Sequence, residues 1–328
     1  FDLFEKLRLD YHELPYDHFS LVYDQIVSKG EVLSSHILAE YLIFSQFSAA
    51  WFDVRKLIRT DDSFQAAKVD WETTETLTRE NLLPMFTSCD IIVTQGFIGH
   101  TEKGLTTTLG REGSDYTAGI LAYCTNATNV TIWKDVPGML NADPKFFKDT
   151  VKLDSISFKE AIELSYYGAS VIHPKTIQPL QNKGIPLLVK SFINPGESGS
   201  LIQESTVKDH LIPSFISKKN QILFSITTRD FSFIMEEHLK DIFDRILLMK
   251  LTINLMQNSA LDFSVLLDRS KVDPPKFIEE FNDLYSVRYN EDLELMTVRH
   301  YDSETLARLI QNKEVILEQK TRQTARIV

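Results

Sequence analysis

The sequence predicts an α/β domain followed by an α+β region, and three patterns carry that reading. Two short β-rich runs, 90–94 and 130–133, flank a helix-like segment at 115–125, which is the strand, helix, strand order of an α/β unit. Behind residue 220 the apolar periodicity alternates regularly as βαββαβ. From residue 293 the first half of that order returns as βαββ, an internal repeat visible in pattern more than in letters.

Taken in order, residues 1–50 carry apolar positions at helical spacing, with Gly30 as the expected interruption and Ile37, Leu38 and Leu42 as an apolar stretch behind it. Ser157 followed by Glu160 fits a capping box, so a helix is expected to start there and to end by Gly168 and Pro174. Pro186–Val189 reads as a buried strand, and Asn194–Gly199 is dense in turn residues. The first domain is expected to close near residue 205. Strands are then expected at 221–226, 251–256, 260–267 and 286–289, with helices at 233–248 and from Asp273 with Pro274. The repeat supplies 293–298, 303–310, 314–318 and 323–328. These runs divide the chain into 1–205, 206–292 and a partial unit at 293–328, as expected for a chain too long for one average core.

Composition narrows the function. A hydrophobic share of 43% and a charged share of 25% are those of a soluble globular protein, and no apolar run approaches the roughly 18 residues of a membrane span. A formal net charge of -11 argues against nucleic acid as the main partner, because phosphate-backbone binding needs a basic surface. Cys89 and Cys124 lie among apolar residues without metal-ligand spacing, so buried thiols in a reducing cytoplasm are expected and no metal site is assigned. The first residue is Phe1, from which the numbering is expected to start inside a longer natural chain.

Two segments suit an anionic small ligand. Thr94–Gly99 places a glycine turn directly after a strand, where open α/β sheets bind ligands. Thr106–Tyr116 sets hydroxyls, glycines, Arg111 and Asp115 before a helix whose free N–H groups favour a carboxylate or phosphate. Ser114 or Asp115 equally suits a plain helix cap.

The stretches TQGFIG, TTTLGREGSDYTA, IWKDVPGMLNADPK and ELSYYGASVIHPKT, with VSKGEVLSS and FDVR upstream, resemble the aspartate kinases of the amino-acid-kinase fold. The resemblance implies a carbamate-kinase-like α/β sandwich, here without its N-terminal part, followed by paired ACT-like domains. It implies ATP-dependent phosphorylation of the L-aspartate side chain to 4-phospho-L-aspartate, the first step toward lysine, threonine and methionine, with Mg²⁺ bridging phosphate oxygens. No general base is needed, because a carboxylate with a pKa near 3.9 is already ionised. By the same resemblance Arg111 grips a substrate carboxylate, Ser114 and the Gly113 backbone donate to it, Phe97 lines the substrate site, Glu31 meets the ammonium group and Asp115 orients the reacting groups. Lys134, Asp135, Leu140, Lys145, Ser170 and Val171 fall where the family holds nucleotide. Ile253, Asn254 and Ser259 match effector-lining positions, for lysine, threonine or both, and the ACT-like units imply a homodimer or higher homo-oligomer.

Four departures stand out, one of them Leu140 in place of a common tyrosine near the nucleotide. The family's K-F-G-G loop does not occur in these residues. Ser170 replaces a phosphate-contacting lysine, so weaker ATP binding is expected. Glu112 replaces a glycine beside Arg111, and its side chain is expected to point away. A non-catalytic amino-acid sensor and a kinase for another carboxylate such as glutamate are the rival readings.

Overall fold

The computed structural model describes residues 18–168, 171–205, 207–209 and 212–328. The described residues of Phe1–Leu140 and Val151–Leu211 form one compact unit, and those of Asn141–Thr150 and Ile212–Val328 form another.

The first unit opens with one long helix, α1 (Phe19–Phe44). It runs through Gly30 without a break, because a helical glycine costs only about 1 kcal/mol and open space surrounds this one. Its buried stripe is Asp24, Ser28, Val32, Ser35 and Ala39, spaced by three and four residues as one helix face requires. These small and polar side chains, and not the apolar Ile37 and Leu38, face inward; Ile37 and Leu38 are exposed. Hydrophobic periodicity finds the helix but not its packing face, because that face carries small and hydrogen-bonding side chains.

β1 (Ala49–Trp51), α2 (Trp71–Leu77) and β2 (Ile91–Val93) follow, with β1 and β2 paired in parallel. β3 (Ile98–His100) and β4 (Thr106–Thr108) form an antiparallel pair. Next come α3 (Gly113–Thr125), β5 (Val130–Lys134), β6 (Ser155–Ser157), α4 (Phe158–Tyr167), α5 (Pro174–Lys183), β7 (Leu187–Ser191) and β8 (Ser200–Gln203). The sheet order is β5-β7-β8-β6, with β5 parallel to β7. Ser157 caps α4 as expected, its Oγ accepting from the Glu160 N–H at 3.0 Å, and Gly168 ends the helix. Pro174 starts α5 instead of helping to end α4, since a proline at the first helical position loses no hydrogen bond. Both cysteines are buried free thiols, and burial pushes that of Cys124 up to about 11.

In the second unit, β9 (Ser214–Thr228), α6 (Glu236–Leu248), β10 (Ile253–Asn258), β11 (Asp262–Asp268), α7 (Pro274–Phe281), β12 (Tyr285–Arg299), α8 (Ser303–Ile310), β13 (Glu318–Lys320) and β14 (Thr324–Ile327) build a six-stranded sheet ordered β10-β11-β9-β12-β14-β13. The runs expected at 286–289 and 293–298 are one continuous strand, β12, and the run at 221–226 is the second half of β9. The two long strands pair along their whole length, with register shifts between Asn290 and Leu295. The first half of β9, Ser214–Lys218, thereby lies beside Leu295–Arg299 and fills the strand position that the partial repeat lacks. Sequence reading passed over it because it precedes the repeat it completes. Ile222, Phe224, Ile226, Val265 and Leu267 face Ile242, Ile246, Phe277 and Phe281 of α6 and α7 in the main core of this unit.

Candidate active site

A cavity of about 550 Å³ opens in the first unit, walled by α1, the turn after β2, the loop into α3 and the end of β5. Glycines make its geometry possible. A Cβ on Gly96 would stand 2.8 Å from Ser114, and one on Gly113 would stand 2.6 Å from the Phe97 ring, so the two loops approach at distances only glycine permits. The Phe97 N–H donates to Thr117 Oγ1 at 2.9 Å and its carbonyl accepts from the Leu109 N–H at 2.8 Å, which fixes one loop on the other.

Glu31, Phe97, Arg111, Gly113, Ser114, Asp115 and Lys134 all wall this cavity. Burial of Glu31 raises its carboxyl above the usual carboxylate range. The Arg111 side chain is 80% exposed, its Nε 4.0 Å from Glu112 Oε1. Lys134 Nζ lies 2.7 Å from Asp115 Oδ2. Glu112 holds a left-handed backbone, φ 55°, and its side chain is only 19% exposed. It stays beside Arg111 instead of pointing away, and its Oε2 is buried without a hydrogen-bond partner among the described residues.

The other expected nucleotide residues are more dispersed. Asp135 is exposed in the turn after β5, Leu140 forms an isolated bridge with Lys152, and Val171 precedes α5; none of the three walls this cavity. Lys145 belongs to the second unit, where its N–H donates to Asp143 Oδ1 at 2.8 Å. Ser170 lies outside the described residues. His173 caps α5, its Nδ1 accepting from the Lys175 N–H at 3.2 Å.

Thr108 and Gly110, from the loop expected to hold an anion, share the wall; sequence reading missed Tyr23 and Gln65, which share it too, and Asp24 behind it. Asp24 is fully buried and accepts from the Gln65 N–H at 2.9 Å, the Thr108 N–H at 2.8 Å and Thr108 Oγ1 at 2.8 Å. The available signal was a carboxylate four residues before Ser28 and eight before Val32, on one helix face.

In the second unit Ile253 packs against the main core. Asn254 is saturated by its neighbours: Oδ1 accepts from Lys218 Nζ at 3.0 Å, while Nδ2 donates to Gln221 Oε1 at 2.8 Å and Asp268 Oδ1 at 2.9 Å. Ser259 closes the turn between β10 and β11, its Oγ accepting from the Asp262 N–H at 3.0 Å.

The cavity wall brings together a guanidinium, an ammonium, a helix N-terminus and the carboxylates of Glu31, Glu112 and Asp115. The profile of the amino acid kinase family matches residues 4–191, more than half of the chain. The chain belongs to the amino acid kinase family. Among its relatives in that family, the lysine-sensitive aspartokinase 3 of Escherichia coli (strain K12) is 40% identical over 203 residues, covering 62% of this chain and 45% of that protein. The chloroplastic aspartokinase 3 of Arabidopsis thaliana is 28% identical over 320 residues, covering 90% of this chain and 53% of its own length. The chain therefore spans about half the length of these two relatives. The crystal structure of E. coli aspartokinase III in complex with aspartate and ADP superposes with a TM-score of 0.79 at 28% identity, covering 99% of this chain and 76% of that one. Clostridium acetobutylicum aspartate kinase gives 0.79 at 26% identity, covering 93% and 71%. The expected amino-acid-kinase fold with an α+β unit after it in the chain is borne out. No helix among the described residues is long and apolar enough to cross a membrane.

Proposed function

We propose that this chain is part of an ATP-dependent aspartate kinase, transferring the γ-phosphoryl group to the side-chain carboxylate of L-aspartate. The observation that carries the proposal is the convergence of Arg111, Ser114, Glu31 and Lys134 on one cavity. Arg111 offers a planar fork to a substrate carboxylate, and its high exposure leaves the fork open to a ligand. Ser114 at the start of α3 donates to the same ligand, whereas the Gly113 N–H expected to join it is taken by the Gly110 carbonyl at 3.0 Å. Glu31 accepts the substrate ammonium. Catalysis is positioning and charge neutralisation, since two anions are brought together and the nucleophile needs no deprotonation. In the same reading Asp135, Leu140, Ser170 and Val171 contact nucleotide.

Among the described residues no cluster of three or more metal-ligating side chains occurs. Mg²⁺ would arrive on the nucleotide, because it keeps several waters and phosphate oxygens and needs only one or two carboxylates from protein. When bound it neutralises phosphate charge. The second unit binds an amino-acid effector, lysine, threonine or both, and pairs across subunits of a homo-oligomer in the cytoplasm.

A hydroxylamine trap on the full-length protein tests the reaction. Hydroxamate forms only when aspartate and ATP are both present; glutamate in place of aspartate gives little. Hydroxamate formed with glutamate in preference identifies a different carboxylate kinase, and intact aspartate binding without hydroxamate identifies a sensor. Glu31 adds a pH prediction. Its folded pKa lies above its unfolded value, so the ionised group opposes folding above the unfolded pKa. Glu31→Gln is therefore expected to raise the melting temperature slightly near pH 7.5 while weakening aspartate binding about tenfold or more. In the parent, aspartate affinity falls as pH drops through the raised pKa. Isothermal titration across pH 4.5–7.5, roughly the range above the ordinary carboxylate pKa, reads both effects.

A further inference from the structure

Lys134 and Asp115 are under-partnered for groups so little exposed. Their side chains are 25% and 15% exposed, and Asp115 Oδ2 is buried. They meet at 2.7 Å as an ion pair, yet Oδ2 receives no directed hydrogen bond, and neither side chain has another partner among the described residues. Buried polar groups in folded proteins are almost always hydrogen-bonded. An ammonium with three protons and a carboxylate with several acceptor sites, both on a cavity wall, leave that capacity for a ligand.

Position narrows which ligand. Lys134 is the last residue of β5, at the carboxyl end of a strand paired in parallel with β7, and Asp115 lies in the first turn of α3. An anion drawn to the free N–H groups of α3 comes up against this ammonium. Among the described residues walling the cavity the cations are Arg111 and Lys134. A guanidinium fork matches a carboxylate, whereas a compact ammonium acts as a point charge on phosphoryl oxygens.

The geometry points to Lys134 as a catalytic residue that contacts the phosphoryl group in flight, with Asp115 as the residue that holds it in place. This rests on the aspartate kinase reading and deepens it, because it assigns Lys134 to the transition state instead of to general nucleotide binding. In the step, a carboxylate oxygen of aspartate forms a bond to the γ-phosphorus while the bond from that phosphorus to the β,γ-bridging oxygen breaks. The bonding pair leaves on ADP, and no proton is transferred. Charge on the three equatorial oxygens is met by the Lys134 ammonium, an interaction stronger in the transition state than in either ground state.

The test uses the full-length protein and the hydroxamate assay. Lys134→Met is expected to lower kcat by about a hundredfold, as loss of one such electrostatic donor does, while KM for aspartate and the Kd for ATP stay within about fivefold. Ethylammonium restores part of the lost rate to Lys134→Ala. The double variant Lys134→Met with Asp115→Asn is slower than Asp115→Asn alone, which a lysine that merely positions Asp115 does not predict. Retention of kcat within about threefold by Lys134→Met overturns the inference, as does a loss confined to ATP affinity, which reduces Lys134 to a nucleotide contact. If Lys134→Met does not fold, Lys134→Gln and the amine rescue decide, and no rescue in a folded Lys134→Ala counts against the inference. A parent protein that makes no hydroxamate removes the kinase reading itself, an outcome distinct from an active parent with an indifferent Lys134.

Discussion

Arg111→Ala lowers kcat/KM for aspartate by about three orders of magnitude and leaves the fold intact. The size follows from geometry. A guanidinium donating two parallel hydrogen bonds to a carboxylate contributes roughly 1.5–3 kcal/mol per charged bond, and each 1.36 kcal/mol is tenfold in rate. The structural effect is small because Arg111 is 80% exposed and its named ionic contact is Glu112, at 4.0 Å. The melting temperature is therefore expected to stay within one or two degrees, roughly the scatter of a surface substitution. Arg111→Lys keeps the charge but loses the fork, so it recovers only part of the activity, about a tenfold gain over alanine. Steady-state kinetics with aspartate and ATP varied separately check this. If the loss appears as a raised KM for ATP with aspartate parameters unchanged, Arg111 belongs to the nucleotide and the orientation of both substrates in the cavity is reversed.

Glu112 bears on the same measurement. Its carboxylate stays next to Arg111 and has no hydrogen-bond partner for Oε2 among the described residues, in a left-handed backbone that glycine adopts without strain. An anionic ligand approaching Arg111 meets this charge at short range. A carboxylate retained there against both backbone preference and substrate charge makes the Arg111 fork more necessary, since it is the group that overcomes the repulsion.

The parts of the fold that were legible in sequence are those where local chemistry decides. Ser157 with Glu160 announced α4, Asp273 with Pro274 announced α7, and the glycines at 96 and 113 marked the loops that touch. The residues expected around the amino acid meet in one cavity because most of them lie in one continuous loop, 111–115, beside a strand-end turn. What stayed hidden depends on distant pairing. The long helix α1 hides its packing face in small polar residues, so its apolar pattern pointed outward. The strand Ser214–Lys218 completes a repeat that begins some eighty residues later, a register that only the pairing of β9 with β12 reveals. Asn254 reads as a free polar side chain on a strand end, but Lys218, Gln221 and Asp268 use its whole amide. The depressed pKa of Lys218, caused by burial, belongs to that same network.

Asp24→Ala is expected to have the largest effect on stability, about 3–5 kcal/mol, because it leaves a hydroxyl and two backbone N–H groups facing a buried cavity without their acceptor. The carboxylate ties α1 to the 61–67 loop and to β4, and two of the residues it holds, Gln65 and Thr108, wall the candidate cavity. Loss of the tie therefore shows in function before global unfolding, as a raised KM for aspartate at temperatures where most of the protein is still folded. Asp24→Asn is the informative control. Oδ2 accepts from both N–H groups while Oδ1 accepts from Thr108 Oγ1, so an asparagine with its oxygen on the Oδ2 side keeps two bonds. Its amide nitrogen then donates to Thr108 Oγ1, which rotates to accept. The expected cost is about 1–2 kcal/mol, as for one rearranged hydrogen bond. Urea denaturation of parent, Asn and Ala proteins at one pH ranks them. An alanine variant within 1 kcal/mol of the parent would mean, by the usual cost of an orphaned buried donor, that water takes over the acceptor role and that the Asp24 tie does not hold the cavity wall.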